Sequence, residues 1–321
     1  VTRPTCRGRG DELSDSPASW LKGPHGFGAK LPGLYATSTD AIKVRSARVQ
    51  ESRVSTKYGK LVSVWGNIGE SEDRALYGHE AEWVHIGALD ISVSPLTASQ
   101  IASFVTSARG KHLLLNHNLH SAYLHQIDEE FRQLYRYADM VVIDGTPIRW
   151  LASCWSRKRF PAEYRVSSTD WIAALPDARA SKRLFVFGAT ELSNARAVHS
   201  LQRQLRNWTV SGINGYVDER RAVDLISDFN PDLVIVGLGM PRQEEFLMGN
   251  LHVLPPATYA TVGGAIDYVG GTTRLAPRWI GRTGLEWLWR LANEPRRLAY
   301  RYLIEPLLLV SCVAKRYLRL R

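Results

Sequence analysis

With 321 residues, 45% hydrophobic and 22% charged, the chain has ordinary globular composition, long enough for one large domain or two modest ones, which excludes a wholly disordered or fibrous protein. Its three cysteines, Cys6, Cys154 and Cys312, lack C-x-x-C spacing, so neither a disulfide framework nor a zinc site is indicated and a reducing, cytosolic compartment fits. The net charge of +10 is concentrated: from Thr272 onward eleven Lys/Arg stand against three Glu, a surplus of +8, and such a segment seeks an anionic partner.

Residues 1–82 are rich in Gly, Ser, Arg and turn formers, with little apolar periodicity, and are expected to form a disordered or weakly structured extension. The opening Val-Thr-Arg carries no charged-then-apolar leader, which argues against secretion through a signal peptide. From Trp83 strand-like runs alternate with helix-length stretches. The runs are VHIGALDISV, KHLLLNH, DMVVID, KRLFVFGA, DLVIVGLG and ATYATVGG; the stretches include SAYLHQIDEEFRQLYRYA and ELSNARAVHSLQRQLRN. Near-continuous apolar strands need cover on both faces, so the expected fold is α/β, a doubly wound, mostly parallel, Rossmann-like sheet over 83–271. A basic helical appendage would follow at 272–321.

Ligands of open α/β sheets bind outside the carboxyl ends of the strands, so residues at the strand ends are the candidates for chemistry. The first is Asn116-His117-Asn118, whose amides can both donate to and accept from a base, ribose or sugar hydroxyl, or simply start a helix. The second is Asp144-Gly145: a carboxylate delivered where a buried strand ends is a candidate general base, or else a cap of the next helix. After KRLFVFGA, Gly188 precedes a helix start at Thr190 or Glu191 and could present free N–H groups to an anion, or form an ordinary turn. In residues 234–246, Gly237 and Gly239 allow close backbone approach, and Gln243 and Glu244 are expected to project from the first helical turn toward a ligand. Arg242 stands where a dinucleotide fingerprint requires its last glycine.

The C-terminal segment mixes arginines with Trp279, Trp287, Trp289, Tyr300, Tyr302 and Tyr317, a pattern of membrane-interface helices, which places an anionic membrane surface ahead of nucleic acid as partner. Its longest apolar run, Leu307–Ala314, is eight residues, far below the ~20 needed to span a bilayer. His112, His117, His120 and His125 cluster in sequence without a third ligand at helical spacing, so no metal is expected. Neither D-x-D nor Tyr-x-x-x-Lys occurs.

Together these segments resemble the WecB/TagA/CpsF family of bacterial glycosyltransferases, glycosyltransferase family 26, over about residues 83–303. The family's T-x-N is similar to Asn116-His117-Asn118, its D-G to Asp144-Gly145, and its R-V-x-G-x-D to Arg165–Asp170. Its G-Y matches Gly215-Tyr216, and its V-G-L-G-x-P-x-Q-E matches Val236–Glu244. Its R-A-P…G-L-E-W…E-P-R-R matches Leu275-Ala276-Pro277, Gly284–Trp287 and Glu294–Arg297. Asn116 in place of Thr and Ser168 in place of Gly are departures that bear on the donor sugar.

The resemblance implies inverting, metal-independent transfer of a hexose (N-acetylmannosamine, its uronic acid or a glucose-type sugar) from a UDP-sugar to a polyprenyl-diphosphate-linked acceptor. The setting would be bacterial surface polysaccharide synthesis at the inner face of the cytoplasmic membrane, with no cofactor and with room for a homo-oligomer. It makes Asp144 the base. Donor-binding residues would be Asn116, Asn118, Gly145, Arg165, Gly188, Gly215, Tyr216, Gly237, Gly239, Gln243 and Glu244. Arg274, Arg278, Arg282, Arg290 and Arg297 would meet diphosphate or membrane. A nucleotide-sugar oxidoreductase or epimerase, and a non-catalytic basic membrane-peripheral protein, are the alternatives.

Overall fold

The structure, a computed structural model, describes residues 82–177, 180–274 and 286–319. The extension expected before residue 82 lies outside them. Eight strands occur among the described residues: β1 (Val84–Ile86), β2 (Ile91–Val93), β3 (His112–His117), β4 (Met140–Ile143), β5 (Lys182–Gly188), β6 (Trp208–Ile213), β7 (Leu233–Gly237) and β8 (Thr258–Thr261). β3 to β8 build one parallel six-stranded sheet in the order β4-β3-β8-β7-β5-β6. The expected α/β architecture is therefore present.

Successive strand residues feed opposite cores, as period-two geometry requires. Leu113, Leu115, Val141, Ile143, Phe185 and Phe187 pack on one face, and Leu114, Met140, Val142, Leu184 and Val186 on the other. The covering helices are α1 (Ala98–Ser107), α2 (Leu119–Ile127), α3 (Glu129–Arg136), α4 (Thr146–Ser156), α5 (Ser168–Ala173), α6 (Glu191–Gln204), α7 (Glu219–Phe229), α8 (Arg242–Asn250) and α9 (Ala265–Val269). The C-terminal segment adds α10 (Glu286–Asn293), α11 (Pro295–Ala299), a π-helical turn (Tyr300–Ile304) and α12 (Glu305–Arg319).

Three local expectations are corrected. VHIGALDISV is not one strand: Asp90 takes φ 52° in a tight turn, and the run folds into an antiparallel β1–β2 hairpin outside the main sheet. SAYLHQIDEEFRQLYRYA is two helices, because Asp128 leaves helical geometry and its carboxylate caps α3 by accepting the Phe131 N–H at 3.1 Å. WTVSGI, not anticipated as a strand, forms the edge strand β6, of which only Trp208 and Val210 are buried.

Phe187, 2% exposed on β5, meets the Phe246 ring of α8 edge-on at 4.8 Å. Phe187→Ala should cost about 3–5 kcal/mol through lost burial and the cavity left behind, read as a lower urea midpoint with unchanged slope.

Candidate active site

At the end of β4 the Asp144 N–H still donates to the His117 carbonyl of β3 at 2.9 Å, so the residue is held at the carboxyl edge of the sheet. Gly145 follows with φ 106°, a conformation that disfavours any side chain, and turns the chain into α4, where Pro147 occupies the first turn. Gly145 itself is the N-cap, and no side chain caps the helix. The Asp144 carboxylate instead accepts the Asn118 amide, Nδ2 to Oδ2, at 3.2 Å. Asn118 is fixed in turn: it caps α2, its Oδ1 accepting the Ser121 N–H at 3.1 Å while its own N–H donates to Ser121 Oγ at 2.8 Å.

Asp144 faces a cavity of about 230 Å³ whose walls come from α2, α4, the Arg165 segment and the C-terminal helices. Arg165 is carried there because the Val166 N–H donates to the Ile143 carbonyl at 2.9 Å. Trp287, Arg290, Arg301, Tyr302 and Pro306 close the opposite side. Burial pushes the Asp144 carboxyl above its usual range, against the opposing pull of Arg290, the Asn118 amide, Arg301 and Arg165. A carboxylate so raised, in a cavity rich in guanidinium groups, is suited to accept a proton beside a negatively charged ligand.

A second cavity of about 230 Å³ lies over the carboxyl ends of β5, β7 and β8, walled by Gly215, Tyr216, Gly237, Gly239, Gly263, Arg242, Asp267 and Arg297. Glycine is required here by close approach: a Cβ on Gly188 would sit 2.3 Å from the Gly237 carbonyl oxygen. Tyr216, 77% exposed, presents its ring at the rim. A narrow pocket of about 60 Å³ shares Arg290, Arg301 and Tyr302 with the first cavity and Gly264, Asp267 and Arg297 with the second.

A model profile of the Glycosyl transferase WecG/TagA/CpsF family matches residues 86–321. The chain belongs to that family. Among curated proteins it is 31% identical over 164 residues to a protein of Bacillus spizizenii, covering 50% of this chain and 63% of the relative. It is 36% identical over 118 residues to one of Bacillus subtilis, covering 36% and 46%. To one of Staphylococcus aureus it is 27% identical over 183 residues, covering 56% and 68%. All three are named N-acetylglucosaminyldiphosphoundecaprenol N-acetyl-beta-D-mannosaminyltransferase. The chain thus spans about half to two-thirds of the length of these relatives.

The family's motif residues fall into separate places. Asp144, Gly145, Asn118, Arg165 and Arg290 share the first cavity; Gly215, Tyr216, Gly237, Gly239 and Arg297 share the second, with Gly188 packed beneath it. Asn116 is buried, its Nδ2 donating to the Thr261 carbonyl at 3.4 Å and its carbonyl accepting the Tyr135 hydroxyl at 2.8 Å. Arg274 is exposed and borders neither cavity; Arg278 and Arg282 lie outside the described residues. Arg301, Tyr302 and Trp287 join the first cavity from the C-terminal helices, where residue type alone did not separate them from their neighbours. The four clustered histidines diverge: His117 and His125 pack around the Tyr135 ring, His112 approaches Asp139, and His120 meets Glu305.

Gln243 and Glu244 do not project into either cavity; both are fully buried. Gln243 Oε1 accepts the Gly263 N–H at 3.0 Å and Gln243 Nε2 donates to Glu244 Oε1 at 2.8 Å, so the pair braces the turn that floors the second cavity. Burial raises the Glu244 pKa from 4.5 to about 8, leaving it protonated at neutral pH. Its contribution to stability is therefore present below about pH 4.5 and is lost as pH rises toward about 8. Glu244→Gln should flatten the fall in melting temperature across that window, measured by thermal unfolding at successive pH values.

Proposed function

We propose that this chain is an inverting glycosyltransferase that moves a hexose from a UDP-sugar to the sugar hydroxyl of a polyprenyl-diphosphate-linked acceptor. The observation that carries the reading is Asp144: a half-buried carboxylate of raised pKa, oriented by Asn118, in a cavity lined by Arg165, Arg290 and Arg301. In this reading Asp144 takes the proton of the acceptor hydroxyl. The oxygen attacks the anomeric carbon, the bond from that carbon to the UDP β-phosphate oxygen breaks, and UDP leaves from the opposite face. One displacement inverts the anomeric centre.

The glycine-walled cavity takes the nucleoside, with Tyr216 offering a ring for stacking and Asp267 an acceptor for ribose hydroxyls. The narrow pocket between Arg290, Arg297 and Arg301 takes the diphosphate, whose developing charge these arginines neutralise without a metal ion. N-acetylmannosamine heads the donor candidates because the curated relatives are named for its transfer.

The acceptor places the reaction at a membrane surface, which residues 272–321 would approach from the cytoplasmic side. Supporting this, Leu307, Val310, Ala314 and Tyr317 recur at three-to-four spacing along the exposed side of α12, while Leu309 faces the core. Among the described residues no helix is long and apolar enough to cross a membrane. An apolar row flanked by arginines supports peripheral, reversible attachment.

The test is incubation of the protein, with EDTA present, with labelled UDP-sugars and synthetic lipid-diphosphate-sugar acceptors. Transfer from one donor, with UDP released, is the expected result. Absence of UDP binding would overturn the reading.

A further inference from the structure

We propose that His120 and Glu305 form a clasp that seats Arg301 in the Asp144 cavity, which makes His120 a positioning residue for that arginine; the inference rests on the transferase reading. The two residues, 185 positions apart, bring Nδ1 and Oε2 within 2.5 Å, with side chains only 13% and 9% exposed. His120 lies in the first turn of α2, two residues after the Asn118 that holds Asp144. Glu305 begins α12 four residues after Arg301, directly behind the π-helical turn that carries Arg301 and Tyr302 into the cavity. The clasp therefore joins the loop that fixes the base to the turn that supplies the cation.

Its neighbours do not replace it. Leu309, 4% exposed, anchors α12 to the core, but apolar burial is non-directional and does not set how the turn before it is rotated. At the far end of α12, Arg316 meets Asp90 at 3.1 Å, an exposed pair of the kind that contributes little. The His120–Glu305 contact is largely buried and directional. Burial, with the charge of Arg301 adding to it, holds the His120 pKa down to about 3, so the imidazole is neutral and its Nδ1–H can donate to the carboxylate.

Burial pushes the Glu305 carboxyl above its usual range, against the opposing pull of Arg301. The Arg301 guanidinium is committed to no acceptor at Nε, which is buried without a hydrogen-bond partner. With His120 in place, the Glu305 carboxylate is engaged on one side and Arg301 is left to meet phosphate. Without His120, the same carboxylate becomes a competitor for Arg301.

Two measurements on the full chain test this: hydrogen exchange of the amides at 300–305, and kcat and KM with the UDP-sugar that proves active. His120→Ala should speed exchange at 300–305 and lower kcat about tenfold to a hundredfold, as expected when a catalytic contact is misplaced by about an ångström. Donor KM should change less than kcat, since the nucleoside cavity is untouched and only the diphosphate contact is displaced. Glu305→Gln, whose side-chain carbonyl still accepts from Nδ1–H, should keep both exchange and kcat near wild type. Glu305→Ala, on the opposite partner, should reproduce His120→Ala and serves if that variant is poorly folded. Wild-type exchange at 300–305 in both alanine variants overturns the clasp. Faster exchange in a chain that transfers no sugar keeps the clasp and overturns the transferase reading.

Discussion

Asp144→Asn should bind UDP as wild type does and lose about 10²- to 10⁴-fold in kcat, the usual worth of a positioned general base. The substitution keeps the shape of the side chain, and its Oδ1 can still accept the Asn118 amide that Asp144 accepts at 3.2 Å, so the cavity survives while the basic oxygen does not. A pH–rate profile sharpens the result. Burial raises the Asp144 carboxyl, so in wild type kcat/KM should climb with pH through a limb displaced upward from the ordinary carboxylate range. The variant should lack that limb. Unchanged kcat in Asp144→Asn would remove the base from the mechanism and leave Arg-mediated stabilisation of the leaving diphosphate as the main device.

Arg290→Ala carries the second large effect, and it acts in two ways. Arg290 lies between the Asp144 cavity and the narrow pocket, its guanidinium 5.2 Å from the Tyr268 ring centroid, which holds it in place by cation–π attraction. Removing it withdraws a preorganised cation from the leaving phosphate, a loss of about 10²–10³ in kcat by analogy with single oxyanion-type contacts. It also removes the largest influence opposing burial at Asp144, so the acidic limb should move to still higher pH. Arg290→Lys should restore the position of that limb but not the full rate, because a point charge replaces charge but not a two-pronged grip. A rate loss with an unmoved limb would show that Arg290 and Asp144 act independently.

The sheet was legible because its strands are nearly continuous apolar runs between helix-length stretches, the pattern a doubly covered parallel sheet imposes. β6 escaped notice because an edge strand does not need such a run; its burial falls away after Val210. The β1–β2 hairpin was missed because Asp90 in a left-handed conformation looks no different in sequence from a strand residue. Asp144 stood out as a candidate because the signal for it is local, a buried strand, its end and a glycine, although the His117 carbonyl and the Asn118 amide that hold it come from the neighbouring strand and the loop after it. Gln243 and Glu244 sit just as close to a strand end, yet the phase of α8 turns them inward onto Gly263. Sequence spacing does not fix that phase. Arg301 was one of several C-terminal arginines expected to face phosphate, and sequence did not single it out because a π-helical turn resets the register of the segment; the partner of His120 was out of reach because the contact closes over 185 residues.

The strand order has a consequence for how the protein is made. Among the described residues β8 is the one strand that joins β3–β4 to β7–β5–β6. Until residues 258–261 leave the ribosome, β3–β4 and β7–β5–β6 lack the strand that pairs with both. The last strand inserts between them as a keystone, and its two partners, β3 and β7, are some 120 residues apart along the chain. Completion of the sheet thus waits on a late-synthesised strand, at the entropic cost that non-local pairing imposes on folding rate, and the helices that carry Arg290 and Arg301 follow it still later.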